Sequence, residues 1–195
     1  MEIERELLGE LSAANFAAKQ RDFTRLFGQP KKVRRIALQA TDFSRHDLDT
    51  RLRITNGKQE LMQKVGSWQN HTKQELSVEL ALPAENIVKL LRIIYNSLDS
   101  NNIQTNLIQM ENYLYDTDEL EIKLTCQLGK SEHYNFEIEA KNNQVDIKEF
   151  CAKHGLKPDM TERTEAQWKA HNEKVNLDWT KLPEGELVNI IERYL

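Results

Sequence analysis

Glu119-Leu-Glu-Ile-Lys-Leu-Thr-Cys126 and Tyr134-Asn-Phe-Glu-Ile-Glu-Ala-Lys141 decide how this chain is read. In the first, Leu120, Ile122, Leu124 and Cys126 share one side, opposite Glu121, Lys123 and Thr125. In the second, Tyr134, Phe136, Ile138 and Ala140 oppose Glu137, Glu139 and Lys141. A period of two marks a β-strand, because successive Cβ atoms point to opposite faces of a sheet. Working outward, Gln74–Leu82 sets Leu76, Val78, Leu80 and Leu82 against Glu75, Ser77 and Glu79. Arg51–Ile54 sets Leu52 and Ile54 against Arg51 and Arg53. Asn56-Gly57 follows that strand and predicts a two-residue hairpin, since both central residues of a type I′ turn need positive φ. Ile36–Phe43 alternates more loosely. Leu107–Tyr115 reads as a strand whose facing the sequence leaves open, and Asp116-Thr117-Asp118 as the turn after it.

Helices are fewer. Pro83 opens a segment in which Ile87, Leu90, Leu91 and Ile94 fall at helical spacing. Ala13–Phe27 reads as a helix stopped by Gly28, Val145–His154 as one closed by Gly155, and Glu165–Val175 and Glu184–Tyr194 as two more. Hairpin-linked runs of strands between isolated helices predict an α+β fold with an antiparallel sheet rather than a βαβ array.

Composition narrows the function classes. The chain has 195 residues, 27 Lys+Arg against 31 Asp+Glu, a net charge of −4, and 39% hydrophobic residues. That suits a single domain spanning 1–195. It argues against a protein built to grip nucleic acid non-specifically, which needs a basic excess. No apolar run approaches the roughly 18 residues of a membrane helix. The opening MEIERELLGE is acidic where a signal peptide is basic and then apolar. Cys126 and Cys151 are too few for a disulfide scaffold. The expectation is a soluble, cytoplasmic protein with no nucleic-acid or membrane partner and with homodimerisation left open.

The charged strand faces admit two readings. An antiparallel sheet commonly leaves one polar face in water. Alternatively the sheet curls into a barrel, helices cover the apolar outside, and the charged face lines an interior. The polar positions are chemically narrow, dominated by Glu, Lys and Arg, and both signs occur on single strands, as in Glu121/Lys123 and Lys73/Glu75/Glu79. An interior of that kind tolerates its charges only when they are paired or bind something equally charged. Carboxylates suit hard cations, and Arg and Lys suit phosphate. A metal-bound polyphosphate satisfies both.

Glu2-Ile3-Glu4-Arg5-Glu6 resembles the E-x-E-x-K signature of the CYTH superfamily, the triphosphate tunnel metalloenzymes. Further pieces follow in the family's order. Arg51-Leu52-Arg53 resembles its R-x-R, Leu61–Gly66 its L-x-x-K-G, Lys73-Gln74-Glu75 its R-x-E, and Gly129 with Phe136–Glu139 its G…F-x-E-x-E. The resemblance covers about residues 2–141. It implies an antiparallel eight-stranded β-barrel, or tunnel, with a charged lumen and helices outside: a core of about 1–142 with a C-terminal helical appendage of about 143–195. It also implies roles. Glu2, Glu4, Glu137 and Glu139 are the metal-binding acids, for Mg²⁺ or Mn²⁺. Arg51, Arg53, Lys64 and Lys73 grip phosphate, with Lys123 and Arg35 as further lumen cations. Glu2, Glu4, Lys64 and Glu75 are the catalytic set. The implied activity is hydrolysis of a triphosphate (nucleoside triphosphate, thiamine triphosphate or inorganic tripolyphosphate). The alternatives are nucleotidyl cyclisation on the same fold, a degenerate tunnel that binds a phosphorylated ligand without turnover, and an unrelated protein-binding domain.

The sequence departs from the family at Glu6, where the signature has Lys, and at Thr125, where the family has Asp. Gln109 and Glu111 stand where it has basic residues. Elsewhere, His46, His71, His133, His154 and His171 lack zinc-ligand spacing with the cysteines. Cys126 reads as packing and Cys151 has no activating partner. Residues 42–47 read as a solvated loop and Lys31–Arg35 as a basic strand start. Trp168 and Trp179 read as anchors for the C-terminal helices.

Overall fold

The computed structural model of the chain describes residues 6–44, 48–65, 74–98, 102–142, 145–159 and 165–195. The elements are β1 (Glu6–Leu11), α1 (Ala13–Phe27), β2 (Lys31–Asp42), β3 (Leu48–Thr55), β4 (Lys58–Val65), β5 (Gln74–Leu80), α2 (Ala84–Ser97), β6 (Ile103–Asp116), β7 (Leu120–Leu128), β8 (His133–Ala140), α3 (Ile147–Lys153), α4 (Glu165–Val175), a 3-10 turn (Trp179–Lys181) and α5 (Glu184–Glu192). This is the predicted α+β order. The strands form one eight-stranded sheet in the order β1-β8-β7-β6-β2-β3-β4-β5. Among the described residues no ladder joins the end strands β1 and β5, so the pairing is that of an open sheet.

Local chemistry explains the boundaries. Ser12 caps α1 by accepting from the Asn15 N–H at 3.2 Å, and Gly28 ends it at φ 87°, its N–H bonded to the Thr24 carbonyl. Asn56 and Gly57 take the positive φ values of 48° and 87° that the β3–β4 hairpin requires. The Asn56 side chain also accepts from the Arg34 N–H at 2.8 Å, which ties the hairpin tip to β2.

The chain divides into two compact units, each with its own core. The first takes in β1, α1, β7, β8, α3 and the second half of β6. Phe16 and Phe23 of α1 and Ile147 and Cys151 of α3 pack there on Ile122, Leu124, Phe136 and Ile138. The second takes in β3, β4, β5, most of β2, the first half of β6, α2, α4 and α5. Its core joins Ile36, Leu38, Leu52 and Ile54 to Ile87 and Leu91 of α2, to Trp179, and to Leu187, Ile190 and Ile191 of α5. The C-terminal elements therefore supply much of that core. The Trp179 indole N–H donates to the Gln39 carbonyl at 2.9 Å. The facing of β6 is now visible: Leu107 enters the second core, and Tyr113 and Tyr115 enter the first. On β5 the predicted apolar row is buried only in part. Leu80 and Leu82 pack on the core, whereas Leu76 and Val78 are 58% and 55% exposed. An end strand has a neighbour on one side only, so its side chains lose half of their cross-strand cover.

Candidate functional site

In the second unit the residues opposite the core form four lateral rows. Antiparallel register places Arg35 beside Thr55 and Lys58; Ala37 beside Arg53, Glu60 and Glu79; Gln39 beside Arg51, Met62 and Ser77; and Thr41 beside Asp49, Lys64 and Glu75. Such neighbours lie about 5 Å apart at Cβ, within reach of one another. The face is not a hydrated exterior at its β2–β3 end. Ala37, Gln39 and Thr41 are as buried as Ile36, Leu38 and Ala40 on the other side, Met62 is buried, and Asp49 is 2% exposed. Towards β5 it opens, with the Glu79 side chain 74% exposed.

Its charges are mutually paired. Arg51 donates from Nε to Asp49 Oδ2 at 2.8 Å and from Nη2 to the same oxygen. Arg53 donates from Nε and Nη2 to Glu60 Oε2 at 2.9 and 2.7 Å. Lys64 meets Glu75 at 2.9 Å and Lys58 meets Glu79 at 2.6 Å. Arg35 donates to Thr55 Oγ1 at 3.1 Å. The Arg53 hydrogen bonds hold the Glu60 carboxyl below its ordinary value, against a weaker upward push from burial. The Glu79 carboxylate raises Lys58.

The first unit carries the acid-rich counterpart. Its rows place Glu6 beside Glu139 and Glu121; Leu8 beside Glu137 and Lys123; and Glu10 beside Asn135 and Thr125. Ile122, Leu124, Phe136 and Ile138, the residues between these, are fully buried on the other face. Lys123 donates to Glu137. Three carboxylates therefore stand in one lateral row, with a fourth in the next. Thr125 donates to Asn112 Oδ1 at 2.8 Å, both residues buried, so a neutral hydrogen-bonded pair stands where the resemblance expects an aspartate. His133 Nε2 lies 3.7 Å from Glu10 Oε1.

Of the residues expected from the sequence, the structure brings together Arg53 with Glu60, Lys64 with Glu75, and Lys123 with Glu137, and it sets Glu139 in a row with Glu6 and Glu121. Glu2, Glu4 and Lys73 lie outside the described residues. Sequence reasoning missed Asp49 and Glu60. Asp49 shares the strand and the parity of Arg51, a signal present in the alternation, whereas Glu60 meets Arg53 through the β3–β4 register. Burial pushes the Cys151 thiol up to about 11 and raises Cys126, so neither is a ready thiolate. A cavity of about 470 Å³ in the second unit is lined by carboxamides together with Lys130, Lys169, Lys181, Glu173 and Asp178, and three of the carboxamides are bonded in series. Asn176 donates to Asn172 at 3.1 Å, Asn172 to Gln104 at 2.9 Å, and Gln104 to the Lys169 carbonyl at 3.1 Å, which fastens α4 to β6.

The fold has solved counterparts. The fold is similar to that of a Pyrococcus horikoshii OT3 protein (TM-score 0.57, 20% identity, 86% of this chain and 98% of that one). It is similar to a Hippeastrum protein put forward as an adenylyl cyclase and found to have a dominant triphosphatase activity (0.59, 14%, 86% and 95%). A third is a Bacillus halodurans protein put forward as an adenylate cyclase (0.57, 15%, 86% and 97%). At these identities the likeness is one of fold alone, and the expected α+β architecture with eight antiparallel strands is present, its described strands paired as an open sheet. No protein-family model and no curated protein matches the sequence. No helix among the described residues is long and apolar enough to cross a membrane.

Proposed function

We propose that this chain is a metal-dependent phosphohydrolase of the CYTH type, acting on a triphosphate. The carrying observation is the second unit's charged face, which is buried at Ala37, Gln39 and Thr41 of β2 and at Asp49 of β3 and holds the part-exposed Arg51, Arg53 and Lys64 in ordered geometry. Two arginines and a lysine on adjacent strands are a phosphate-gripping set, because guanidinium forks match phosphate oxygens and need no proton to stay charged. Each cation is paired to an acid, so a bare anion adds negative charge to a balanced face. A ligand carrying its own divalent cation brings its compensation with it, its oxygens taking the N–H groups that the carboxylates leave free. That conserves charge in a site that desolvation would otherwise penalise.

The carboxylate-rich face of the first unit is of the chemistry that suits Mg²⁺ or Mn²⁺. Glu137 and Glu139 would hold the ion with Glu121 and Glu6 beside them. When bound, the ion neutralises charge on phosphate oxygens. The rest of the work falls to the chain. Arg51 and Arg53 orient the phosphates, Lys64 spreads charge from the leaving oxygens, and Glu75 sets the Lys64 ammonium in place. Phosphoryl transfer asks for positioning and electrostatics rather than covalent help. Hydrolysis is preferred to cyclisation because it requires no ribose-orienting group.

Phosphate release from tripolyphosphate and from ATP, with Mg²⁺ or Mn²⁺, tests this. The wild-type chain is expected to turn over at least one substrate, and Glu137→Ala to lose roughly a hundredfold or more in rate. A second reading, binding without turnover, is favoured by the neutral Thr125–Asn112 pair. It predicts that wild type and Glu137→Ala are equally inactive while tripolyphosphate still raises the melting temperature. Neither turnover nor stabilisation sinks both.

A further inference from the structure

Behind Arg51 lies a chain of polar groups that the phosphate-binding reading does not itself require. Asn106 Nδ2 on β6 donates to Gln39 Oε1 on β2 at 3.3 Å. Gln39 Nε2 donates to Asp49 Oδ1 on β3 at 3.0 Å. Asp49 Oδ2 accepts from Arg51 Nε at 2.8 Å and from Arg51 Nη2. Asn106, Gln39 and Asp49 are 2%, 4% and 2% exposed. A carboxylate so far from water is tolerated only where its oxygens are satisfied. Here one oxygen is used by the amide and the other by the arginine. The pairing engages one edge of the guanidinium. Among the described residues Nη1 has no partner, and the Arg51 side chain keeps 24% exposure. A guanidinium fixed along one edge presents its remaining N–H groups in one direction, with the rotamer entropy already lost before a ligand arrives.

We infer that Asp49 is a positioning residue: with Gln39 and Asn106 behind it, it aims the free edge of Arg51 at a phosphate oxygen. The inference rests on the triphosphate reading and adds to it the part that makes Arg51 a preorganised ligand rather than a neutralised one. The two roles predict opposite signs. If Asp49 only neutralises Arg51, removing its charge frees the cation and tightens anion binding. If it positions Arg51, removing its charge loosens binding.

The test measures calorimetric affinity for inorganic tripolyphosphate with Mg²⁺ in wild type, Asp49→Asn, Arg51→Ala and the double variant, each with its melting curve. Asp49→Asn is expected to weaken binding roughly tenfold, as loss of a charge-assisted hydrogen bond does. The double variant should be no weaker than Arg51→Ala alone, because the carboxylate acts only through the arginine. Gln39→Met, which leaves both charges in place, is expected to cost about threefold and covers the case in which Asp49→Asn fails to fold. The Arg51 Nε–H resonance, assigned by its loss in Arg51→Ala, should be slowly exchanging in wild type and averaged out in Asp49→Asn. Unchanged or tighter binding by Asp49→Asn, or additive losses in the double variant, overturns the positioning role alone. No tripolyphosphate binding by the wild-type chain overturns the phosphate reading, and this inference with it.

Discussion

The two units carry the same construction with different charge. Each packs helices on the apolar face of antiparallel strands and turns an ionic face the other way. In the β7–β8 unit that face is carboxylate-rich, Glu6, Glu121, Glu137 and Glu139 against Lys123. In the β3–β4 unit every acid on the face has a cation, and the arginines are held by two bonds each. Identical backbone chemistry thus gives one surface dominated by carboxylates and one with its acids and cations in pairs. The first invites a cation. The second accepts an anion only when compensating positive charge comes with it. This difference, more than any single residue, is what the proposed metal-dependent triphosphatase would draw on.

The largest expected effects test whether the units are independent in stability as well as in charge. Phe136→Ala removes a fully buried ring from the first core, and Trp179→Ala removes an indole and its bond to Gln39 from the second. Each should cost about 3–5 kcal/mol. Native-state hydrogen exchange then separates the cases. If the units open separately, Phe136→Ala accelerates exchange in β7 and β8 while sparing β3 and β4, and Trp179→Ala does the reverse. Uniform acceleration in both variants would show one cooperative block.

A smaller effect is expected at Thr125. Replacing it by Asp restores the carboxylate that the CYTH resemblance expects but sets it against Asn112 Oδ1 in a buried position. Without metal the variant should lose about 2 kcal/mol in chemical denaturation, the cost of a buried and poorly satisfied polar group. Millimolar Mn²⁺ should recover part of that loss, and recover none in wild type. Equal response of the two proteins to Mn²⁺ would remove this position from the metal argument.

Much of the fold was legible because period-two alternation with ionic polar positions is a loud signal. Helix α1 and helix α4 fall on the predicted residues, and the Asn56-Gly57 turn has the predicted dihedrals. The facing of β6 was not legible, because its Leu107 belongs to one core and its Tyr113 and Tyr115 to another. A strand shared between two cores shows no single apolar row. The site was legible as a list of charges but not as a set of pairs. Which acid meets Arg51 depends on side-chain reach along the strand, and which meets Arg53 depends on β3–β4 register. Both are set by tertiary structure. Burial of the β2 polar face was equally hidden, since Ala37, Gln39 and Thr41 look like ordinary strand residues.

The pH dependence should also differ between the units. In the first, the His154 ring lies among Phe23, Phe27 and Phe150, with ring centroids 5.6, 6.4 and 4.4 Å away. Burial lowers its pKa from 6.5, Lys153 and Lys19 lower it further, and Asp22 opposes them. The folded state therefore prefers the neutral ring. Stability is complete above 6.5 and declines as pH falls from there towards the lower folded value, because the unfolded chain takes the proton first. In the second unit Glu60 is lowered by Arg53. Asp178 is pushed up by burial but held low overall by Thr105, Thr180 and Lys181. Their contributions are present above the ordinary carboxylate values of 4.5 and 3.8 and are lost only as pH falls below them. Exchange-protected amides of α3 should weaken in mild acid, and those of β3 and β4 only in stronger acid. His154→Phe should abolish the first of these steps and leave the second.

The smallest effect is expected at Glu6, and it bears most directly on the charge difference between the units. Glu6 stands in register with Glu139, which stands in register with Glu121. Like charges directly opposite on antiparallel strands oppose each other, typically by less than about 1 kcal/mol. Glu6→Lys, which restores the family's residue, should relieve that opposition and raise the melting temperature slightly in the absence of metal. The same change places an ammonium beside two carboxylates of the proposed cation set, so stabilisation by Mn²⁺ should fall while tripolyphosphate binding rises. A variant that gains in both would show that the acid row is not a cation site, and that Glu6 only hindered a phosphate. A variant that loses in both would make Glu6 a required carboxylate, and the charge division between the two faces would then be sharper than in the CYTH pattern it resembles.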